Sequence, residues 1–292
     1  MSLHIFLGTL AVNASLFEVF TAPKPGLVDR WGSGAHDDMD FATFLLSAAA
    51  LAPFWPLQAL KGLQGVHPDR ALKVLRKTGL EMDRAMFEAT SGVNTHKGLI
   101  FALSLLLYGA GRCIFLGIPP SPSNISNEAS LAVSGCCERE LGSLRGASND
   151  RPLSSGERIY LEHGLTGIRG EAEGGFPTVI RYGIPSFRKG LSMRATRHDS
   201  ALFALFNLMM HGQDTNIVAR KGFTFWTTIY RSMVSDLLRH DLPYSPGSIK
   251  ALKESDRIFS LNRVSPGGAA DLLTCTLFLH DCESHLADIV SI

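Results

Sequence analysis

An excess of charge of one sign is missing from this 292-residue chain, whose 28 lysines and arginines are balanced by 27 aspartates and glutamates. Non-specific nucleic-acid binding needs a broad basic surface, because phosphate contacts supply most of the affinity. A formal net charge of +1 leaves no such surface. We therefore expect no nucleic-acid partner, and any anion site must be a local cluster of cations.

Cysteine is also scarce, with 5 residues, an odd number, and no pair spaced as C-x-x-C. A disulfide framework uses an even set of cysteines, and structural zinc sites use closely paired ligands. Neither is predicted here. The pattern favours reduced thiols in a cytoplasmic protein.

The apolar N-terminal segment has no basic residues at its beginning, and Glu18 is the lone charge of residues 1–20. A secretory signal peptide begins with basic residues, so a buried first helix is the better interpretation and a signal peptide the alternative. The apolar run at residues 98–111, between Lys97 and Arg112, is shorter than the roughly 20 residues that span a bilayer. We expect a core helix there and no membrane partner.

Alternation of apolar and polar residues, the pattern of half-buried strands, is rare, and the example at residues 178–182 is weak. Helical patterns dominate instead. Asp40 can cap a helix that stops at Pro53. Further helices are expected over residues 70–89, 98–111, 200–210 and 269–279.

Two polar segments, residues 119–124 and 148–152, are predicted to be loops, and both are too short to be flexible domain linkers. No internal repeat is visible. The sequence therefore predicts one all-α, multi-helix domain over residues 1–292, with an active site built from the loops between helices. A homo-oligomer is left open.

Polar residues concentrate in five short junctions between the apolar segments, an arrangement typical of a shared pocket. In the first junction, two prolines fix the backbone around a lysine, and glycines let backbone N–H groups approach an anion. A histidine and an aspartate there offer a base or oxygen ligands for Mg²⁺. The competing interpretation is an ordinary loop with a helix cap. The candidates in this junction are Lys24, Gly26, Asp29, His36 and Asp38.

The second junction immediately precedes the apolar run at residues 98–111, where a helix N-terminus favours phosphate. A lysine in the first turn opposes the helix dipole unless an anion lies nearby, although it can also extend into water. The candidates in this junction are Asn94, Thr95, His96 and Lys97.

The third and fourth junctions follow at residues 164–177 and 211–216. In the third, Arg169 can hold a phosphate with two parallel hydrogen bonds, and Glu171 is a candidate base or metal ligand. The alternative there is a surface turn with an exposed ion pair. In the fourth, Asp214, Thr215 and Asn216 suit ribose hydroxyls or a metal-bound water. A helix stop followed by an Asx turn is the alternative.

In the fifth junction, Ser265 can cap a helix, and Gly267 and Gly268 allow close approach of a ligand. Asp271 then lies about one turn into an apolar helix, where a carboxylate needs a metal or a partner such as a buried arginine. The common nucleotide-binding motifs G-x-x-x-x-G-K-[ST] and G-x-G-x-x-G after a strand are absent. Each junction is a weak signal alone, and their joint presence favours a functional site.

The five junctions, in this order, resemble the triphosphoribosyl-dephospho-coenzyme A synthase family. The matching strings are PKPGLVDRWGSGAHDDM, GVNTHKG, GLTGIRGEAEGGFP, DTN and SPGGAADLL. The resemblance implies an all-helical transferase that moves the triphosphoribosyl group of ATP to the 2′-hydroxyl of dephospho-coenzyme A and releases adenine. Its product would be the precursor of the prosthetic group of citrate lyase or malonate decarboxylase.

The resemblance also implies a mechanism, because a β-nucleoside becomes an α-linked product. One inversion through an oxocarbenium-like transition state suffices, so we expect direct displacement without a covalent enzyme intermediate. Three cations would hold the triphosphate, with Mg²⁺ sharing its charge: Lys24, Lys97 and Arg169. The candidate metal ligands are Asp38, Glu171, Asp214 and Asp271. The candidate bases are Asp38, Glu171 and Asp214, with His36 behind them, and His96 is the candidate proton donor to adenine.

Two other classes of protein fit the same residues. A metal-dependent N-glycosidase or nucleotide hydrolase would use water as the acceptor, with the same cations and carboxylates. A helical nucleotide-binding protein without catalytic activity would release no adenine at all. Adenine release that depends on dephospho-coenzyme A distinguishes the transferase from both.

Overall fold

The computed structural model describes residues 1–145 and 152–286 of the chain. Within these ranges the regular elements are helices, and no strand is present apart from an isolated bridge between Asp29 and Gly32. The predicted all-α class is confirmed. The weak strand signal at residues 178–182 corresponds to no strand, since Val179–Gly183 forms a π-helical turn that continues into the next helix.

Helices of the first half of the chain surround one long apolar helix, α5. In order they are α1 (Leu3–Phe20), α2 (Phe41–Leu51), α3 (Trp55–Leu63), α4 (Pro68–Ala89), α5 (Lys97–Leu116), α6 (Pro122–Leu131) and α7 (Cys136–Glu140), followed by a 3₁₀ turn (Gly142–Leu144).

The second half of the chain contains shorter helices and ends in a second long apolar helix, α16. In order they are α8 (Ser155–His163), α9 (Gly167–Glu173), α10 (Ile184–Ser192), α11 (Arg197–His211), α12 (Thr215–Lys221), α13 (Phe223–Phe225), a π-helical turn (Trp226–Tyr230), α14 (Arg231–Leu237), α15 (Pro246–Leu261) and α16 (Gly267–Leu286).

Helix caps account for several of these boundaries. The Asp40 carboxylate accepts a hydrogen bond from the Thr43 amide at 2.8 Å, so the predicted cap of α2 is confirmed. The loop expected at residues 119–124 was only half right. Ser121 caps α6, and Pro122 occupies its first position. The backbone N–H that proline lacks would have no acceptor within the helix at that position. Of the other predicted loop, residues 148–152, all but the last residue lie outside the described part of the chain.

Helix α5 forms the centre of the fold, with 13 of its 20 residues buried. It passes very close to α3, because a methyl group on Gly111 would collide with the carbonyl oxygen of Ala59. The predicted end of this helix near Gly111 was wrong: it continues through Arg112, whose Nε donates to Glu128 Oε2 at 2.8 Å. Glu128, 16 residues later in the sequence, neutralises the charge of Arg112, and that charge was the reason to expect the helix to end there.

Length and composition alone would let three described segments cross a membrane: Leu3–Phe20, Phe41–Leu63 and Lys97–Leu116. In the last of these, 72% of the apolar window is buried inside the protein. The first helix also packs into the interior, where Leu7, Ala11 and Ala14 are fully covered. Burial against other helices accounts for the apolar sequence of the last segment, whereas the apolar windows of the first two are 44% and 33% buried.

Candidate active site

A cavity of about 370 Å³ lies where the first turns of α5, α9, α12 and α16 meet. This volume is within the range of roughly 300–1,000 Å³ that is usual for small-molecule sites. All five polar junctions contribute to its wall. The candidate residues that line it are Lys24, His36, Asp38, Asn94, Thr95, His96, Lys97, Glu171, Thr215, Asn216, Ser265, Gly267, Gly268 and Asp271.

The two longest helices at the cavity, α5 and α16, both begin in its wall. The first-turn N–H groups of a helix have no partner within the helix and carry the positive end of its dipole. Lys97 and Gly98 belong to the first turn of α5, and Gly267 and Gly268 to that of α16. The fold thus directs two anion-binding helix ends into one hollow.

Lys24 enters the cavity wall as part of an ion pair. Its ammonium group bonds to the carboxylate of Glu18, and both side chains are almost completely buried. Burial raises the pKa of Glu18, and the adjacent Lys24 charge opposes that increase. Glu18 therefore already neutralises the charge of Lys24, which weakens the predicted contact of Lys24 with phosphate.

Two exposed cations complete the wall, Lys97 and Arg220. Among the described residues, neither has a carboxylate within salt-bridge distance. Arg220 lies close enough to His36 to lower the pKa of that imidazole, after the larger effect of burial. These two side chains are the positive charges available to a bound anion.

His36 is held between a serine and an aspartate. Its Nε2 lies 2.7 Å from Ser265 Oγ, and its Nδ1 lies 3.6 Å from Asp38 Oδ1. Burial lowers the pKa of His36 and outweighs the opposing charge of Asp38. The imidazole is therefore neutral near pH 7, the state in which a histidine accepts a proton.

His96 is buried in the wall and tied to a chain of hydroxyl groups. Thr95 Oγ1 donates to Ser47 Oγ at 2.8 Å, and Ser47 Oγ lies 2.7 Å from His96 Nδ1. Which of the two atoms donates in this contact depends on the imidazole tautomer, and Nε2 has no partner among the described residues. Burial, and then the charge of Lys24, lowers the pKa of His96 to about 4. His96 is therefore neutral near pH 7, which restricts its predicted role toward adenine.

Asp271 presents a carboxylate for which the described residues offer no hydrogen-bond donor. It is partly exposed in the cavity wall and lies against Gly98 of α5, where a methyl group would collide with its Oδ2. Burial, followed by the charges of Glu18 and Asp214, raises the pKa of Asp271 well above its usual value. Such a group is expected where a cation binds together with the substrate.

Glu171 and Asp214 are occupied by the protein itself. Glu171 accepts from the Thr178 amide and from Thr178 Oγ1, both at 2.8 Å. Asp214 caps α12 through the Asn216 amide at 3.0 Å and reaches the Gly268 amide of α16 at 3.1 Å. Burial raises the pKa of Asp214 to about 6, against these hydrogen bonds. Both carboxylates connect chain segments, and Asp214 lies behind the wall rather than in it.

Three further candidates also lie outside the wall. Asp29 accepts from the Lys24 amide at 2.8 Å and so fixes the first junction. Gly26 has φ of 74° and lies against the Val264 carbonyl, so its lack of a side chain serves packing. Arg169 Nε donates to Glu140 Oε2 at 3.0 Å and lines a neighbouring groove. In this structure Arg169 therefore forms an ion pair, as the alternative interpretation of the third junction has it.

The four predicted metal ligands do not form a compact cluster. Among the described residues, the group whose ligand atoms lie within 4.8 Å of one another is Cys136, Cys137 and Glu173, which contains none of the four predicted ligands. Asp38 is exposed near His36, and Asp271 lies beside α5. In this structure Glu171 and Asp214 already accept hydrogen bonds from backbone amides, so all four carboxylates are not available to one metal ion.

Sequence reasoning missed Glu18, Ser47 and Arg220. Glu18 had a signal, because a lone carboxylate in an otherwise apolar helix needs a partner. Arg220 lies four residues after Asn216, one helical turn beyond a recognised junction. Ser47 had no signal, since a serine within an apolar helix is common and its contact with His96 spans 49 residues.

A family model described as ATP:dephospho-CoA triphosphoribosyl transferase matches residues 5–289 of the chain. A probable 2-(5''-triphosphoribosyl)-3'-dephosphocoenzyme-A synthase of Albidiferax ferrireducens is 37% identical over 287 residues, covering 98% of this chain and 93% of the relative. A protein of Klebsiella pneumoniae with the name 2-(5''-triphosphoribosyl)-3'-dephosphocoenzyme-A synthase is 38% identical over 269 residues, covering 91% of this chain and 87% of the relative. No solved structure matches the chain.

Proposed function

This chain belongs to the ATP:dephospho-CoA triphosphoribosyl transferase family and is a transferase of that type, and we propose that its reaction takes place in the cavity between α5 and α16. The triphosphoribosyl group leaves adenine and joins the 2′-hydroxyl of dephospho-CoA. The observation that carries the location is the convergence in one hollow of two long helix N-termini, two neutral histidines and two cations that have no carboxylate partner in the described part of the chain. We propose further that the product is the prosthetic-group precursor of citrate lyase or malonate decarboxylase, as the resemblance of the junctions implies.

The triphosphate is held by the first turns of α5 and α16 together with Lys97 and Arg220. The Gly268 amide already donates to Asp214 and the Lys97 amide to Asn94 Oδ1, so the Gly98 and Gly267 amides are left to bind the phosphate oxygens, and the two side chains supply charge. Arg220 takes the role that the sequence suggested for Arg169. The Lys24–Glu18 pair stays buried beneath this site and contributes the field of a dipole rather than a full charge.

His36 is the base that removes the proton of the acceptor hydroxyl. It is neutral at physiological pH, its Nε2 is already within hydrogen-bond distance of a hydroxyl group, and Asp38 stabilises the imidazolium that forms. The incoming 2′-hydroxyl replaces Ser265 Oγ or passes its proton through it. Glu171 and Asp214 are weaker candidates, because backbone N–H groups occupy their oxygens.

His96 binds the leaving adenine through its Nε2 hydrogen. A histidine with a pKa of about 4 cannot act as a charged acid at pH 7. It can donate a hydrogen bond to a ring nitrogen on which negative charge develops as the glycosidic bond breaks. This assignment replaces full proton transfer from His96 with stabilisation of the departing base.

The donor set at the cavity fits Mg²⁺ bound to the substrate. Magnesium prefers oxygen ligands and usually binds through one or two carboxylates and substrate phosphates. Asp271, with no protein donor among the described residues, would hold it together with Asp38, whereas Glu18 and Glu171 in the same wall are already bonded to Lys24 and Thr178. When bound, the ion neutralises part of the triphosphate charge.

An adenine-release assay tests this function. The protein is incubated with ATP and Mg²⁺, with and without dephospho-CoA, and adenine is measured by chromatography. We expect release only when the acceptor is present, and a loss of about a hundred- to ten-thousandfold in kcat for His36→Gln. Release with water alone would indicate a hydrolase, and no release would indicate a nucleotide-binding protein. A ribosylated enzyme formed from ATP alone would refute direct displacement.

A further inference from the structure

We propose that a groove beside the cavity binds the pantetheine arm of dephospho-CoA, an inference that rests on the proposed function. The groove lies between α4, the first half of α5 and the start of α8, and its volume is about 750 Å³. We call it the α4–α5 groove. Its apolar lining consists of Leu72, Leu75, Leu80, Ile100, Phe101 and Leu105.

The α4–α5 groove adjoins the cavity. Asn94, Lys97, Gly98 and Ile168 line both spaces, and each of them is at least partly exposed. A ligand that passes over these four residues reaches from one space to the other past the first turn of α5. Dephospho-CoA has this extended form, since its ribose carries the reacting hydroxyl and its arm leaves the same nucleoside through the diphosphate.

The length of the groove matches the arm. Its contacts on α4 run from Leu72 to Asp83, which is about 16 Å along a helix that rises 1.5 Å per residue. The pantetheine chain has about as many bonds as four extended amino acids and so spans about 14 Å. Leu80, which is 59% exposed in the free protein, would be covered by a bound chain.

Charge is placed where the diphosphate would pass. The groove contains three cations, Arg76, Lys97 and Arg169, and two carboxylates, Asp83 and Glu140. Both arginines bond to Glu140, which leaves one net positive charge on that cluster. Lys97 adds another at the junction with the cavity, where the charge of Asp83 offsets it, so the groove keeps one net positive charge. Arg169 thus lies near the acceptor diphosphate rather than the triphosphate of ATP.

The uncharged arm also fits the lining better than a second nucleotide would. Pantetheine carries two amides, one hydroxyl and two methyl groups but no charge. The groove offers an apolar floor with a few polar groups at its edges, including Ser154 on α8. A triphosphate in the same place would lie on leucine and phenylalanine side chains.

Two glycines on opposite walls allow a direct test. The nearest atom to a methyl group on Gly79 would be Ile100 Cγ2 at 3.9 Å, and Gly156 has open space around it. Phenylalanine at either position would partly fill the groove. Gly247 on α15 is also uncrowded and lies outside the groove, so Gly247→Phe is the matched control. Gly79→Ala and thermal unfolding of every variant report whether the fold is retained.

Initial rates are measured with dephospho-CoA and with ADP, an acceptor that has the same ribose but no arm. For Gly79→Phe and Gly156→Phe we expect the KM for dephospho-CoA to rise about tenfold or more. A rise of this size corresponds to the loss of at least one apolar contact between the arm and the groove. The KM for ATP and the rate with ADP should change by less than about twofold. For the wild type, kcat/KM with ADP should be at least about tenfold below that with dephospho-CoA.

Two results would overturn the inference. One is an unchanged KM for dephospho-CoA in both folded phenylalanine variants. The other is a wild-type protein that uses ADP as efficiently as dephospho-CoA. In either case transfer still occurs and the proposed function stands. If wild-type protein releases no adenine with dephospho-CoA, the proposed function itself fails.

Discussion

Two sides of the cavity use their carboxylates in opposite ways. On the side of α9 and α12, Glu171 and Asp214 accept hydrogen bonds from backbone amides and join chain segments. On the side of α5 and α16, Asp271 has no hydrogen-bond donor among the described residues. The first side is complete without a ligand, whereas the second is not.

This difference separates residues that build the site from residues that wait for a substrate. Burial raises the pKa of carboxylates on both sides, but backbone N–H groups offset part of that cost for Glu171 and Asp214, whereas Asp271 has no such donor among the described residues. Such a cost is typical of positions selected for function rather than for folding. The comparison predicts that substitutions on the two sides change stability in opposite directions.

The largest effect is expected for Asp271→Asn. In the proposed function this carboxylate binds Mg²⁺ beside the triphosphate, so we expect its loss to lower kcat about a hundredfold or more. Stability should change in the other direction. The folded pKa of Asp271 lies above the unfolded value of 3.8, so the wild type loses stability as pH rises above that value. Asparagine removes this loss, and the free energy of unfolding at pH 7 should rise by about 1–2 kcal/mol.

Urea denaturation from pH 4 to pH 8 and adenine-release kinetics measure both effects. The gain in stability of Asp271→Asn should grow with pH between the unfolded and the folded pKa of Asp271, because there the unfolded wild type has released a proton that the folded state still holds. An Asp271→Asn variant that is less stable than the wild type at pH 7 would show that an unrecognised donor satisfies the carboxylate. In that case the two sides of the cavity do not differ as described.

Local features of this structure were predictable from sequence. The Asp40 cap of α2 depends on residues three apart, and the polar junctions follow from the contrast between apolar helices and their ends. Fourteen of the candidate residues consequently line one cavity. A helix end that follows an apolar run places its free N–H groups and its polar neighbours together wherever the helices pack.

Long-range pairing was not predictable. The choice of Arg169 failed for the cavity because Glu140, 29 residues earlier, captures its guanidinium group. Arg112 was taken as a helix boundary because nothing local indicates its bond to Glu128. A charged side chain in isolation does not show whether the fold will neutralise it. That information lies in the packing of α4, α7 and α9 and not in any one motif.

On the other side of the cavity, Asp214→Ala should affect stability more than chemistry. The change leaves the amides of Asn216, Ile217 and Gly268 without their acceptor. We expect the free energy of unfolding to fall by about 1–2 kcal/mol, the usual cost of a lost helix cap. The kcat of the folded fraction should fall only a few-fold.

Denaturation at fixed pH, followed by kinetics at a temperature where the variant is fully folded, separates the two readouts. Asp271→Asn is the natural counterpart, since it changes a carboxylate of the same cavity. A thousandfold loss of kcat in folded Asp214→Ala would make Asp214 part of the chemistry and would remove the contrast between the two sides.

The smallest effect is expected for Asp38→Asn, which tests how the charge of Asp38 changes the pKa of His36. The Asp38 charge raises the pKa of His36, against the larger lowering by burial and the further lowering by Arg220. Without that charge the pKa of His36 falls further. Because the neutral imidazole is the active form, the acid limb of the pH profile of kcat/KM should move to lower pH.

At pH 7 the weaker base should reduce kcat by about tenfold or less, while at acidic pH the variant should lose less of its own activity than the wild type does. The wild-type acid limb should itself lie below 6.5, the ordinary value for histidine. A limb that moves to higher pH in Asp38→Asn, or does not move, would mean that another group accepts the proton. Asp271 would then be the next candidate, because it is the remaining carboxylate in the wall without a donor among the described residues.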